Sequence, residues 1–147
     1  MKTVIVYEST HHKNTYKLVE AIADKFDVDT IDVKEAAAAD LSQYDLIGFA
    51  SGIAFGKFYP DIMDFAKKNL PENKKVFLLY TCGKDSKNYS NAMKALAAEK
   101  GCDVLGFYGS LGYDTFGPFK LIGGISKNHP TTSEISGAVE FFEKLIV

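Results

Sequence analysis

Apolar residues fall along the chain in two alternating patterns. Four short blocks, Val4–Tyr7, Asp45–Ala50, Lys75–Thr81 and Asp103–Tyr108, read as strands, and Val4–Tyr7 and Lys75–Thr81 have the near-continuous hydrophobicity of strands buried on both faces. Val28–Val33 alternates apolar and polar residues and reads as an edge strand. Between these blocks the period becomes helical. Thr15, Leu18, Val19, Ile22, Ala23 and Phe26 form one stripe, and Ile62, Phe65, Ala66 and Leu70 form another behind Pro60, with Pro71 as its stop. Met93, Leu96 and Ala97 mark a third helix, which Gly101 closes as a left-handed C′ residue. Ile135, Ala138, Val139, Phe142, Leu145 and Ile146 mark the last, behind a cap at Thr132 or Ser133. Ala36–Asp40 has the composition of one or two further helical turns. Strands alternating with helices predict a parallel sheet with right-handed crossovers and helices on both faces: a three-layer, doubly wound α/β domain spanning residues 1–147.

In such a sheet ligands bind beyond the carboxyl ends of the strands. The first strand runs into Ser9, Thr10, His11, His12, Lys13, Asn14 and Thr15, after which a helix starts at once. Strand, hydroxyl-rich loop and helix make an anion site, because the helix points unpaired N–H groups and its positive dipole end at whatever the loop encloses. The third strand ends in Ser51 and Gly52 and opens a segment to Tyr59 that holds Phe55, Gly56, Lys57 and Phe58. The fourth ends at Thr81 and opens a loop with Cys82, Gly83, Asp85, Ser86 and Tyr89. A phosphate cradle beside two aromatic loops suits a phosphorylated, flat, ring-bearing ligand. Phe55 and Tyr89 are the candidates for the ring faces, with Phe58, Tyr59 and Tyr113 as substitutes, and backbone N–H groups near Cys82 and Gly83 would serve a polar rim. Gly109–Thr132, rich in glycine and aromatics (Gly112, Tyr113, Phe116, Gly117, Phe119, Gly123, Gly124), leaves the same edge as a lid, a partner-docking element or a stretch with an extra helical turn.

Composition narrows the chemistry. The net charge is −2, and no block of like charge gives the footprint of a nucleic-acid binder. All 17 basic residues are lysines, so bidentate guanidinium recognition of phosphate, including an NADP 2′-phosphate, is excluded. Adjacent His11 and His12 cannot easily share one metal ion, and no partners follow at ligand spacing. The two cysteines, Cys82 and Cys102, lack metal spacing and fall at opposite sheet edges, too far apart for a disulfide. No apolar run approaches the roughly 18 residues of a membrane span. A strand at the start in place of a secretory signal leads us to expect a cytoplasmic protein, a monomer without membrane partners.

These features together resemble the flavodoxin family. Its first loop has the form Ser/Thr-x-Thr-Gly-Asn-Thr; Ser9, Asn14 and Thr15 match its ends, while His11, His12 and Lys13 replace its middle. Phe55, Gly56 and Lys57 resemble its turn beside the flavin, and Cys82, Gly83, Asp85, Ser86 and Tyr89 its Cys-Gly-Asp-Ser-x-Tyr loop. The resemblance implies a five-stranded flavodoxin-like sheet of order 2-1-3-4-5, noncovalently bound FMN, and one-electron transport between reductases and oxidases. It further implies that the Gly56 peptide turns its carbonyl toward flavin N5–H on reduction, which glycine permits at least cost. Lys57, where the family often has an acid, predicts a less negative reduction potential. The net charge of −2 predicts only weak long-range steering toward basic partners. Two rivals share the fold: an FMN-dependent NAD(P)H:quinone-type oxidoreductase, and a binding module that has lost its flavin.

Overall fold

The structure is a computed structural model in which residues 1–10, 13–36, 38–84, 88–113 and 124–147 are described. In chain order its elements are β1 (Thr3–Glu8), α1 (Asn14–Lys25), β2 (Asp29–Asp32), β3 (Leu46–Ala54), β4 (Lys57–Phe58), α2 (Pro60–Asn69), β5 (Lys75–Cys82), α3 (Asn91–Glu99), β6 (Asp103–Leu111) and α4 (Thr132–Ile146). The sheet order is β2-β1-β3-β5-β6, with β4 pairing on β3. Apart from β4, this is the expected 2-1-3-4-5 parallel arrangement, and β1 is flanked in register by β2 and β3.

Strand alternation divides the core into two layers. Val4, Val6, Ile47, Phe49, Val76 and Leu78 meet α2 and α3 on one face, through Ile62, Phe65, Met93 and Ala97. Ile5, Leu46, Ala50, Phe77 and Leu79 meet α1 and α4 on the other, through Leu18, Ile22, Ala138 and Phe142. Each fully buried Leu, Ile or Phe contributes roughly 1.5–3 kcal/mol over exposure. Gly48 has a packing role: a Cβ there would stand 2.3 Å from the ring of Phe77, its partner in β5.

Four local expectations need correction. The described residues of Ala36–Asp40 form no helix; Asp40 instead accepts the backbone N–H and hydroxyl of Ser42 at 3.0 and 2.6 Å, and Leu41 and Tyr44 carry the connection into the core. The edge strand is shorter than Val28–Val33. The segment after β3 is a β-hairpin rather than an irregular loop. The cap of α4 is Thr131, which forms a capping box with Glu134. The turn at Gly101 is as expected, with φ 70° and the paired hydrogen bonds Gly101 N–H to Ala98 and Cys102 N–H to Ala97.

Candidate functional site

Parallel pairing brings the carboxyl ends of β1, β3, β5 and β6 to one edge, where α1 begins. Lys13, the cap residue of α1, has φ 54°, and Ser9 reaches past it so that its Oγ accepts the Tyr16 N–H at 3.1 Å. The N–H groups of Asn14 and Thr15, at the first two positions of the helix, have no intrahelical acceptor by geometry. The Thr15 hydroxyl pairs with that of Thr81 at 2.7 Å and ties α1 to the end of β5. Asn14 Nδ2 donates to the Tyr113 carbonyl at 2.7 Å, while its Oδ1 is buried with no partner among the described residues. Thr10 Oγ1 donates to Tyr59 Oη at 3.0 Å, and the Tyr59 ring lies so close to Gly52 that a Cβ there would be 2.2 Å from Oη.

These groups surround a small open cleft lined by Ser9, Thr10, Asn14, Thr15, Gly52, Ile53, Tyr59, Thr81, Cys82, Gly83, Gly112 and Tyr113. Its lining among the described residues holds hydroxyls, an amide and helix N–H groups but no charged side chain. Such a donor set can hold an anion through the dipole and N–H groups of α1. The orphaned Asn14 Oδ1 asks for something different, an O–H or N–H donor. A ligand with an anionic end and a hydroxyl-bearing chain satisfies both.

Two segments flank the cleft, the base of the β3–β4 hairpin through Ile53 and the end of β6 through Gly112 and Tyr113. On one side the β3–β4 hairpin turns at Phe55 and Gly56, with φ 53° and 76°, between the paired Ala54 and Lys57. Positive φ at both central residues is the pattern of a type I′ turn. Phe55 is 90% exposed there, and a non-glycine residue in this region costs roughly 1–2 kcal/mol. Nothing lies within 4 Å of a Cβ built on Gly56, so its backbone angle, not lack of space, selects glycine. On the other side, residues 111–113 are held from several directions. Leu111 N–H donates to Glu134 Oε2 at 3.2 Å, Gly112 N–H to the Cys82 carbonyl at 2.9 Å, and Tyr113 N–H to the His129 carbonyl at 2.9 Å. Burial pushes the Glu134 carboxyl up, but hydrogen bonds from the Thr131 N–H, the His129 ring, the Leu111 N–H and the Thr131 hydroxyl outweigh it and hold the group below its ordinary value. At the end of β1, buried Glu8 accepts the Ile62 N–H of α2 at 3.1 Å. Burial and then the charge of Asp61 raise its carboxyl above the ordinary range, against the opposing Ile62 N–H.

Residues 4–122 match the model of the Flavodoxin domain family. The chain belongs to the flavodoxin family. A Methanocaldococcus jannaschii protein of uncharacterised function is 38% identical over 148 residues, 99% of each chain. Among solved structures, a flavodoxin from the domain Archaea aligns over 100% of both chains with a TM-score of 0.70 at 19% identity. The rubredoxin:oxygen oxidoreductase of Desulfovibrio gigas aligns over 95% of this chain and 33% of its own, with TM-score 0.70 and 18% identity.

In this flavodoxin-family chain the cleft brings together Ser9, Thr10, Asn14, Thr15, Gly52, Thr81, Cys82 and Gly83. Phe55, Gly56 and Lys57 stand outside it on the exposed hairpin tip. The Ser51 hydroxyl is turned inward, donating to the Gly52 carbonyl at 2.6 Å and accepting the Tyr59 N–H at 3.0 Å. Phe58 is a core residue at 2% exposure. Tyr89 is half-buried, its ring edge-on to Tyr80 at 5.8 Å and its hydroxyl donating to the Lys84 carbonyl. His11, His12, Asp85 and Ser86, with Phe116, Gly117, Phe119 and Gly123, lie outside the described residues. Ile53 and Gly112 were not anticipated in the lining; their position at the ends of β3 and β6 was the available signal. The cysteines are thiols, and no group of three or more potential metal ligands occurs among the described residues. No helix of the described residues is long and apolar enough to cross a membrane.

Proposed function

We propose that the protein binds FMN noncovalently and carries single electrons between larger redox proteins. The observation that carries this reading is the convergence of the α1 N-terminus with the hydroxyls of Ser9, Thr10, Thr15 and Thr81 around a cleft that also holds an unsatisfied acceptor, Asn14 Oδ1. A phosphomonoester on a polyol chain matches both demands. The phosphate would sit against the N–H groups of Asn14 and Thr15 and the hydroxyls of Ser9 and Thr10, and a ribityl hydroxyl would donate to Asn14 Oδ1. FMN supplies an isoalloxazine ring able to take up electrons singly or in pairs.

The remaining work falls to the chain. The hairpin of Phe55, Gly56 and Lys57 and the opposite wall at Tyr113 and Tyr89 would flank the ring, while Cys82 and Gly83 offer backbone groups to its polar rim. Gly56 can turn its peptide either way at little cost, so its carbonyl is suited to hold a proton-bearing ring nitrogen. Because Phe55, Gly56 and Lys57 are all exposed, a ring edge beside them would be within reach of a docked protein. That favours contact electron transfer over turnover of an enclosed substrate.

The test is to add FMN to the purified protein and follow the visible spectrum through stepwise anaerobic reduction. Two resolved one-electron stages are expected. Direct passage to the two-electron-reduced form would instead support a quinone-type reductase, and no flavin binding at any concentration would leave a binding module.

A further inference from the structure

A carboxylate that does not line the cleft is tied to its wall. We propose that Glu134, on α4, is a positioning residue. Through Leu111 and His129 it holds residues 111–113 so that the Tyr113 carbonyl takes up the amide nitrogen of Asn14, and Asn14 Oδ1 is left as an acceptor for a hydroxyl on the ligand's chain. The identity of that chain rests on the proposed function; the held geometry is read from the fold.

β6 is an edge of the sheet. The Gly112 N–H turns back to β5 and donates to the Cys82 carbonyl at 2.9 Å, whereas the Leu111 N–H points away from β5 and has no strand to receive it. Glu134 supplies the acceptor: its Oε2 takes the Leu111 N–H at 3.2 Å. Its Oε1 takes the Thr131 N–H at 2.9 Å and meets His129 Nδ1. One carboxylate thus ties the end of β6 to the connection that enters α4, and the same connection offers the His129 carbonyl to the Tyr113 N–H at 2.9 Å. The start of α4 is itself pinned against β6 by the Tyr108 hydroxyl, which donates to the Glu134 carbonyl at 2.7 Å. Gly137 leaves the room for this, since a Cβ there would stand 2.3 Å from Tyr108 Oη.

The consequence reaches Asn14. A carbonyl oxygen only accepts, so the Asn14 atom 2.7 Å from the Tyr113 carbonyl must be Nδ2, and the polarity of the amide follows from where the wall is held. Gly112 lets the two come this close, because a Cβ there would be 2.6 Å from Asn14 Nδ2. With Nδ2 engaged, Oδ1 is buried and has no partner among the described residues, so it calls for a donor. With the wall released, the amide is free to turn over and present a donor instead. Glu134 therefore selects a ligand chain that carries hydroxyl donors over one that carries acceptors alone.

Glu134→Gln isolates this role. Glutamine serves a capping box as glutamate does, so α4 keeps its start through the Thr131 N–H, but the new Nε2 faces the Leu111 N–H donor to donor. In fluorescence titrations FMN and riboflavin affinities should both fall about five- to tenfold, the loss of about one hydrogen bond, with their ratio unchanged. Lumiflavin, with a methyl group in place of the ribityl chain, should bind as it does to wild type. Thr131→Ala is the structural control: it removes the hydroxyl half of the cap, and should lower the thermal midpoint while leaving all three affinities alone. In Asn14→Ala there is no amide to orient, so adding Glu134→Gln should change riboflavin affinity by less than about twofold. A lumiflavin loss equal to that of riboflavin, equal losses in Thr131→Ala, or additive losses in the double variant overturns the proposal. If no flavin associates with the protein, the FMN reading fails by itself, and the flavin-free protein still decides the geometry. Followed by ¹⁵N NMR, the Asn14 side-chain amide proton should exchange with water at least about fivefold faster in Glu134→Gln than in wild type or Thr131→Ala. Equal rates overturn the proposal.

Discussion

The cleft is walled at Asn14 and Thr15 by side chains joined to partners 99 and 66 residues away, whereas the hairpin tip that stands outside it, at Phe55 and Gly56, is carried by the backbone pairing of β3 with β4. At the first end, hydrogen bonds across β5 and the end of β6 fix α1 before any ligand arrives. At the second, two antiparallel pairs, Ile53–Phe58 and Ala54–Lys57, hold a turn containing an aromatic residue at positive φ. One end is rigid and suits recognition of a fixed charge. The other stores strain, which a change of ligand state can redistribute. Disturbing the first should therefore alter whether a ligand binds, and disturbing the second should alter how it behaves once bound.

The largest expected effect is at the rigid end. In Ser9→Asp the new carboxylate still accepts the Tyr16 N–H and favours the α1 dipole, so the ligand-free protein should keep its stability. It would also set a like charge against the proposed phosphate. At an effective dielectric constant near 20, two charges about 4 Å apart repel by about 4 kcal/mol, which with partial relaxation lowers FMN affinity roughly 100- to 1,000-fold. Riboflavin, which lacks the phosphate, should bind as before. Fluorescence titrations with both flavins check this; equal losses for the two would place the anion elsewhere.

At the strained end the effects are smaller and fall on stability. Phe55→Asn puts a residue tolerant of left-handed backbone at φ 53° and should stabilise the flavin-free protein by about 1 kcal/mol in urea unfolding. Gly56→Ala should do the reverse by a similar amount, about 1 kcal/mol, because of its φ of 76° and with no steric conflict. Neither should change the ratio of FMN to riboflavin affinity.

How far these ends were legible in the sequence follows the same division. Ser9, Asn14 and Thr15 announce themselves as polar residues between a buried strand and an amphipathic helix. That Asn14 grips Tyr113 could not be read, because the pair is 99 residues apart and depends on the sheet order. The hairpin was hidden by Phe55: a type I′ turn is signalled by Asn-Gly or Asp-Gly, and an aromatic at the first central position does not suggest it. Ala36–Asp40 misled through helix propensity, which lost to the burial of Leu41 and Tyr44 and to the bond from Tyr44 Oη to Asp29 at 2.6 Å. At the start of α4 the consecutive hydroxyls of Thr131, Thr132 and Ser133 are each plausible caps. Only the spacing from Thr131 to Glu134 singles out the first.

Lys57 sharpens the comparison differently, since it is an exposed charge on the strained hairpin. With FMN bound, Lys57→Glu should make the reduction potential more negative by some tens of millivolts, as expected for reversing a partly screened charge. Potentiometric titration checks it. An unchanged potential would mean that the hairpin lysine does not sense the ring.

The smallest effect concerns the joint between the two ends. Glu8 leaves β1 just before the anion loop and accepts the Ile62 N–H of α2, the helix that follows the hairpin. Burial, and then Asp61, raise its carboxyl above the ordinary value of 4.5; the Ile62 N–H and Lys34 oppose this, and Asp32 adds a little in the same direction as Asp61. A raised value in the folded state means that the native protein holds this proton more tightly than the unfolded chain does. The resulting stability is fully present below pH 4.5 and is lost as pH rises through the raised value. Glu134, held below its ordinary value, contributes with the opposite sign, so the quantity to read is the difference between wild type and Glu8→Gln rather than either curve alone. The substituted amide keeps an acceptor for the Ile62 N–H without the charge. Urea midpoints measured from about pH 4 to about pH 7 should show wild type losing stability relative to the variant just above the ordinary carboxylate range, with the gap then constant. Parallel curves throughout would mean that the joint carries no titrating charge, and that the rigid and strained ends are coupled there only by the shape of the chain.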